Sequence, residues 1–149
     1  MEKIITINRK AKFNYTIEEE IEAGIILKGS EVKSLRLGKA NINEAYADEK
    51  QGCIFLLNSH ISEYKGANRF NHDPKRPREL LLHKKQINKL LGQIKIKGVS
   101  LIPLSLYFNQ RGIVKVKIGI GKGKKLYDKR ETIKQRDEKR QSARELADN

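Results

Sequence analysis

The chain has 149 residues, 38% of them hydrophobic, and carries 32 Lys/Arg against 18 Asp/Glu for a net charge of +14. That length suits one domain plus at most an appendage, with enough surface to bury for one small core. No stretch reaches the about 18 consecutive apolar residues of a membrane span, Met1-Glu-Lys-Ile-Ile-Thr-Ile lacks the features of a secretory leader, and the lone Cys53 excludes an internal disulfide and suits a reducing cytoplasm.

Phe13 to Leu27 reads as a strand long enough to bend, with Gly24 as the pivot. Ser30 is placed to N-cap a short helix that turns Val32 and Leu35 inward and Lys33 and Arg36 outward, and Gly38 ends it. Asn41 to Ala47 and Gly52 to Ser62 are strand candidates joined by the turn Asp48-Glu49-Lys50-Gln51-Gly52. Cys53 opens the apolar run Cys53-Ile54-Phe55-Leu56-Leu57, which marks it as a packing residue. A strand over Glu79 to Leu82 precedes a helix from about Lys84 to Lys97, where Ile87, Leu90, Leu91 and Ile94 share one apolar face. Ser100 to Phe108 puts Ile102, Leu104, Leu106 and Phe108 on one side, with Pro103 as a sign of an edge or bulge. The turn Asn109-Gln110-Arg111-Gly112 joins it to Ile113 to Ile120, where Val114, Val116, Ile118 and Ile120 alternate with Lys115, Lys117 and Gly119. Short strands with few helices favour a mainly β fold, a small closed barrel over residues 1–121.

Residues 122–149 read as a basic tail. From Asp128 onward they are good helix formers, yet the apolar ones are Ile133, Ala143, Leu146 and Ala147, which form no stripe that could dock on a barrel. Arg136, Arg140 and Arg144 would align like charges in a helix. Alone in water the segment is expected to fray, and to fold on an anionic partner.

The basic excess is not evenly spread. Residues 1–59 hold nine Lys/Arg and nine Asp/Glu, residues 60–97 ten and three, residues 98–121 three and none, and residues 122–149 ten and six. Such clustering indicates a polyanion partner, since each neutralised phosphate releases counterions. In the densest patch two prolines keep the chain extended, so that Arg69, Lys75, Arg76 and Arg78 can contact phosphates while Phe70 or His72 stacks on a base. A second patch, Lys122 to Arg130, interleaves Tyr127 with five cations and Asp128. No basic amphipathic helix carries the large apolar anchors of a membrane-surface binder.

Signs of catalysis are missing. His60, His72 and His83 have no metal-ligand spacing with one another or with Cys53. Glu18, Glu20 and Glu22 alternate along a strand as a solvated face. Gly119, Gly121 and Gly123 lack the strand–turn–helix setting of a nucleotide loop and read as permissive backbone where barrel meets tail. Neither an enzyme nor a metal or cofactor site is expected.

Specific strings go further. Gly29-Ser-Glu-Val-Lys-Ser-Leu-Arg-Leu-Gly-Lys-Ala40 resembles the signature of the bacterial SsrA-binding protein family, also called small protein B. Asn71-His-Asp-Pro-Lys-Arg-Pro-Arg-Glu-Leu-Leu-Leu-His-Lys84, Lys122 to Asp137, and Asn8-Arg-Lys-Ala11 with Tyr15 and Ala23-Gly24-Ile25 resemble further blocks of it, in the same order. The resemblance implies an oligonucleotide-binding (OB-like) barrel with flanking helices that binds transfer-messenger RNA in trans-translation, the rescue of stalled ribosomes. It implies a cytoplasmic monomer standing in for the anticodon arm of tRNA, with a tail that becomes helical in the decoding centre and empty message channel. It places Asn8, Arg9, Glu22, Lys33, Arg36 and Lys39 on the face holding transfer-messenger RNA. Lys124, Lys125, Tyr127, Asp128, Lys129, Arg130, Lys134 and Arg136 fall in the segment that meets the 16S rRNA decoding centre. Further implied partners are large-subunit rRNA, for the Arg69–Arg78 loop, and the GTP-bound elongation factor carrying the charged RNA. Read from charge and barrel alone, a general translation or ribosome-assembly factor that binds ribosomal RNA is the competing possibility.

Overall fold

A computed structural model describes residues 2–66, 71–124, 130 and 134–141. Arg69, Phe70, Lys125, Tyr127, Asp128 and Lys129 lie outside the described residues. The strands are β1 (Lys3–Ile7), β2 (Tyr15–Ile25), β3 (Ala40–Asn41), β4 (Tyr46–Lys50), β5 (Cys53–Leu57), β6 (His60–Ile61), β7 (Arg78–Leu81), β8 (Ser100–Phe108) and β9 (Val114–Gly123). The helices are α1 (Ala11–Asn14), α2 (Gly29–Arg36) and α3 (Lys84–Lys97), and a further helix covers residues 134–141.

The strands close on themselves. Antiparallel pairing runs β8–β4–β5–β7–β2–β9 and returns from β9 to β8, making the expected barrel, while β1 adds to the free edge of β8. Closure leaves few exposed edges, and alternate residues fill the interior. Ile42, Leu56, Leu106 and Val116 are wholly buried there, and α3 lays Ile87, Leu90, Leu91 and Ile94 against this core. α3 stops where Gly98 takes the left-handed conformation, φ +63°, that glycine adopts without strain.

Several elements depart from the expectation. The strand foreseen over Asn41–Ala47 is broken: Asn41 Oδ1 accepts the Asn43 amide, and Ala45 N–H donates to the Ile42 carbonyl, so the chain turns between β3 and β4. Asp48, Glu49 and Lys50 continue β4, and the turn shrinks to Gln51-Gly52, both at positive φ. β1 and α1 had no counterpart in the sequence reading. β2 also carries a bulge at Glu18, between the pairs Ile17↔Gly121 and Glu19↔Ile120. Gly24, the expected pivot, marks the corner where β2 passes from β9 to β7, and a Cβ there would stand 3.1 Å from Leu81 Cβ. Gly121 is no handover glycine but part of β9; a Cβ on it would meet the Thr16 carbonyl oxygen at 2.1 Å, so only glycine lets β2 and β9 pair this closely.

Within the tail, residues 134–141 are helical and exposed, consistent with their high intrinsic propensity, and the Arg136 guanidinium lies 5.9 Å from the centroid of the Phe13 ring.

Candidate nucleic-acid interface

α2 is fixed to the barrel by its polar residues as much as by Leu35. Glu31 and Ser34 are wholly buried on the same helix face as Leu35, and Ser34 Oγ donates to the Ser62 carbonyl at 2.6 Å. Glu31 Oε1 accepts the Lys28 amide at 2.7 Å, closing the first turn of the helix, so the cap is built around Lys28 rather than Ser30. The opposite face of α2 presents Lys33 and Arg36 to solvent, and Lys39 follows it, also exposed. Lys33 Nζ stands 5.5 Å from the centroid of the Tyr64 ring. Asn71 holds the Tyr64 backbone on both sides, accepting its N–H at 3.1 Å and donating to its carbonyl at 2.8 Å.

The basic loop is sorted by this anchor into inward and outward cations. Arg78, expected to contact phosphate, has no exposed surface. Its Nε donates to Glu31 Oε2 at 2.5 Å, Nη1 to the Ser59 carbonyl and hydroxyl at 3.0 and 2.9 Å, and Nη2 to the Pro74 carbonyl at 3.1 Å. A guanidinium so enclosed cannot reach RNA; it takes the inward position because Glu31 supplies the charge that compensates its burial. Arg76 is half-turned to solvent, with Nη2 donating to Glu31 Oε1 at 2.6 Å. His72 is likewise not available to stack on a base. It is 2% exposed, its Nε2 donates to the Ile61 carbonyl at 2.8 Å, and its Nδ1 meets the Ser30 hydroxyl at 2.9 Å. Lys75 alone of the described cations in this loop is fully turned outward.

Burial alone would raise the Glu31 carboxyl pKa, and this is the largest single influence on it. Hydrogen bonds from Arg76, the Lys28 amide and Arg78, with the charge of Arg78, outweigh it and hold the group below the ordinary carboxylate value. For Arg78 burial prevails and lowers the guanidinium, opposed by the hydrogen bond and charge of Glu31.

A groove of about 480 Å³ joins Lys75 to Lys10 past Asn41, Asn43 and His60. At its far side Asn8 is buried and builds the turn: Nδ2 donates to the Pro103 carbonyl at 2.9 Å and Oδ1 accepts the Lys10 amide at 3.1 Å. Asn8 therefore shapes the turn that displays Arg9 instead of facing a ligand. The Arg9 amide donates to Asn43 Oδ1 at 3.0 Å while its side chain is exposed. Lys10 pairs with Glu44, both well exposed, a contact worth little in water. Lys10 and Lys75 thus border one groove beside β3, the Arg9 backbone is tied to Asn43 of that groove, and Lys39 leads into β3 from α2. Glu22 lies elsewhere, on the outer wall formed by β2 and β9, where it accepts a hydrogen bond from Tyr107.

The tail departs from a third place. The Lys124 amide donates to the Asn14 carbonyl at 2.8 Å, tying the end of β9 to α1, and Arg130, Lys134 and Arg136 are exposed beyond it. No group of three or more His, Cys, Asp or Glu among the described residues could hold a metal, and no helix among them is long and apolar enough to cross a membrane. Glu79, through a hydrogen bond, and then burial raise the Cys53 thiol, which disfavours the reactive thiolate.

Sequence reasoning overlooked Glu31, Ser59, Tyr64 and Tyr107. For Glu31 a signal existed: it stands one turn before Leu35 on the arc of α2 that faces inward, where a charge demands a partner.

The fold and strings agree with known proteins. A family model described as SmpB protein matches residues 5–148. The SsrA-binding protein of Wolbachia pipientis subsp. Culex pipiens (strain wPip) is 63% identical over 142 residues, 95% of either chain. That of Rickettsia bellii (strain OSU 85-389) is 60% identical over 142 residues, covering 95% of this chain and 94% of the relative. A solved structure described as "tmRNA-SmpB: a journey to the center of the bacterial ribosome" aligns with a TM-score of 0.67 at 46% identity, over 81% of this chain and 85% of that one. The chain belongs to the SmpB protein family.

Proposed function

We propose that this chain is a non-catalytic adaptor that binds transfer-messenger RNA and delivers it to stalled ribosomes for trans-translation. The observation that carries this reading is the run of outward cations Arg9, Lys33, Arg36, Lys39 and Lys75 on rigid supports, in a chain matched nearly end to end by SsrA-binding proteins. Phosphate binding needs exposed cations whose backbones do not move, and the Glu31 anchor and the Asn8 turn supply that rigidity. Residues 1–121 form the RNA-binding domain in this reading, and residues 122–149 the tail. Lys124, Lys125, Tyr127, Asp128, Lys129, Arg130, Lys134 and Arg136 meet the decoding centre, and large-subunit rRNA is available to Lys75. The GTP-bound elongation factor escorts the complex, and the chain acts in the cytoplasm as a monomer.

The test is a gel shift at physiological salt with the tRNA-like domain of transfer-messenger RNA against bulk tRNA. Marked preference for the tRNA-like domain is expected; equal affinity would instead indicate a general ribosomal RNA binder. In the same assay Arg36→Ala is expected to lose one charged contact, roughly 1.5–3 kcal/mol, or about ten- to a hundredfold in affinity. The Arg36 side chain is exposed, so the melting temperature should stay within error of the parent.

A further inference from the structure

We infer that Tyr107 is a positioning residue for RNA recognition: its buried hydroxyl aims the Glu22 carboxylate at a hydrogen-bond donor of the RNA. The inference rests on the proposed binding of transfer-messenger RNA and on the expectation that Glu22, although on the β2–β9 wall apart from the cations around β3, also meets that RNA. Tyr107 is 4% exposed, on β8 between its register partners Ile4 of β1 and Lys115 of β9. Its hydroxyl passes over β9 and donates to Glu22 Oε2 on β2, two strands away, a distance of about 10 Å between backbones. A tyrosine ring has two side-chain torsions, so once the ring is packed the hydroxyl is a fixed point, and the exposed carboxylate on a flexible stem takes its direction from it. Burial, and then the hydrogen bond to Glu22, push the phenol pKa upward, so the hydroxyl remains a donor at any pH at which RNA is folded.

The surroundings leave the carboxylate available. The nearby Lys117 ammonium lies 3.9 Å from Glu20, and no ion pair neutralises Glu22 among the described residues. Glu22 borders a groove of about 420 Å³ together with Gly24, Leu81, His83, Gln86 and Lys115. A carboxylate repels phosphate, so its partner there has to be a donor: a base N–H or a ribose 2′-hydroxyl. With Oε2 held by Tyr107, Oε1 is the oxygen left to accept from the RNA. Without the hydroxyl the same charge remains, but its direction is lost, and the entropy of ordering it falls on the binding step.

A double-mutant cycle separates this role from a structural one. Binding of the tRNA-like domain is measured for the parent, Tyr107→Phe, Glu22→Ala and the double variant, each with a melting curve and a salt titration. Tyr107→Phe keeps the ring and should weaken binding three- to tenfold, whereas in the Glu22→Ala background the same change should have no effect. The slope of log affinity against log salt should be that of the parent, since no phosphate contact is removed. If the two single effects add, or if Tyr107→Phe alone leaves affinity untouched while Glu22→Ala weakens it, the positioning role is overturned and Glu22 keeps its place on the face. If Glu22→Ala itself has no effect, the assignment of Glu22 to RNA fails and this inference with it. A change in the salt slope would also overturn it, by tying Tyr107 to phosphate contacts.

Discussion

Glu31→Ala is expected to destabilise the protein by about 3–5 kcal/mol, because it leaves the buried Arg78 and the half-buried Arg76 without their shared counter-charge. With total stabilities of roughly 5–15 kcal/mol for such domains, the variant should fold but melt early. The effect should depend on pH in a defined direction. The Glu31 carboxyl is held below its ordinary value in the folded state, so its ionisation adds stability above about pH 4.3, the unfolded value, and that contribution is lost as pH falls through the folded pKa. Urea unfolding at pH 7 and at progressively lower pH should show parent and variant converging in acid. A difference below about 1 kcal/mol at pH 7, or one that widens in acid, would contradict the anchor. The variant should also bind RNA less well than its exposed neighbours suggest, since Glu31 ties the start of α2 to the loop bearing Lys75.

How far the sequence discloses this molecule depends on where each signal is written. α3 is legible to the residue, Lys84–Lys97, because its apolar period and the Gly98 stop are local. The β8–β9 hairpin is legible in outline, with alternation along β9 and a five-residue turn. The face expected of β8 is split, however: a bulge between Pro103 and Ser105 leaves Leu106 and Phe108 on the main core and Ile102 and Leu104 in a separate cluster with Ala11. β3 and β4 are not legible, because the side chain of Asn41 redirects a segment whose composition alone reads as one strand. The candidate site divides in the same way. Lys33 and Arg36 follow from the face opposite Leu35, but Arg76 and Arg78, two positions apart in one basic run, have different fates. Both reach Glu31, 47 residues before Arg78, but Arg78 alone is also enclosed by the Ser59 carbonyl and hydroxyl, 19 residues before it, partners that no local pattern connects. A count of cations marks the proposed interface and overstates it, since Arg78 is fully enclosed. Arg78 belongs to the charge that steers RNA toward the protein without being able to touch it. Gly121 teaches the same lesson from the backbone: three glycines spaced by two suggest a flexible handover, whereas a tight crossing against Thr16 is what requires the middle one.

Ending the chain at Lys129 is expected to abolish peptide tagging on stalled ribosomes while changing affinity for the tRNA-like domain by less than tenfold, about 1.4 kcal/mol. Residues 134–141 contain no apolar side chain and are all exposed, so their removal uncovers no core. The cation–π contact of Arg136 with Phe13 is worth about 0.5–1 kcal/mol at an exposed site, too little to hold the barrel or to be missed by it. A contact that weak is exchanged at little cost for ribosomal phosphates, to which Arg130, Lys134 and Arg136, all exposed, are expected to turn. Melting temperature, RNA affinity and tagging in a reconstituted translation system distinguish the outcomes. Loss of all three would mean that the tail is part of the fold. Loss of affinity with folding intact would move the tail onto the RNA-binding face, and retained tagging would remove it from the decoding centre.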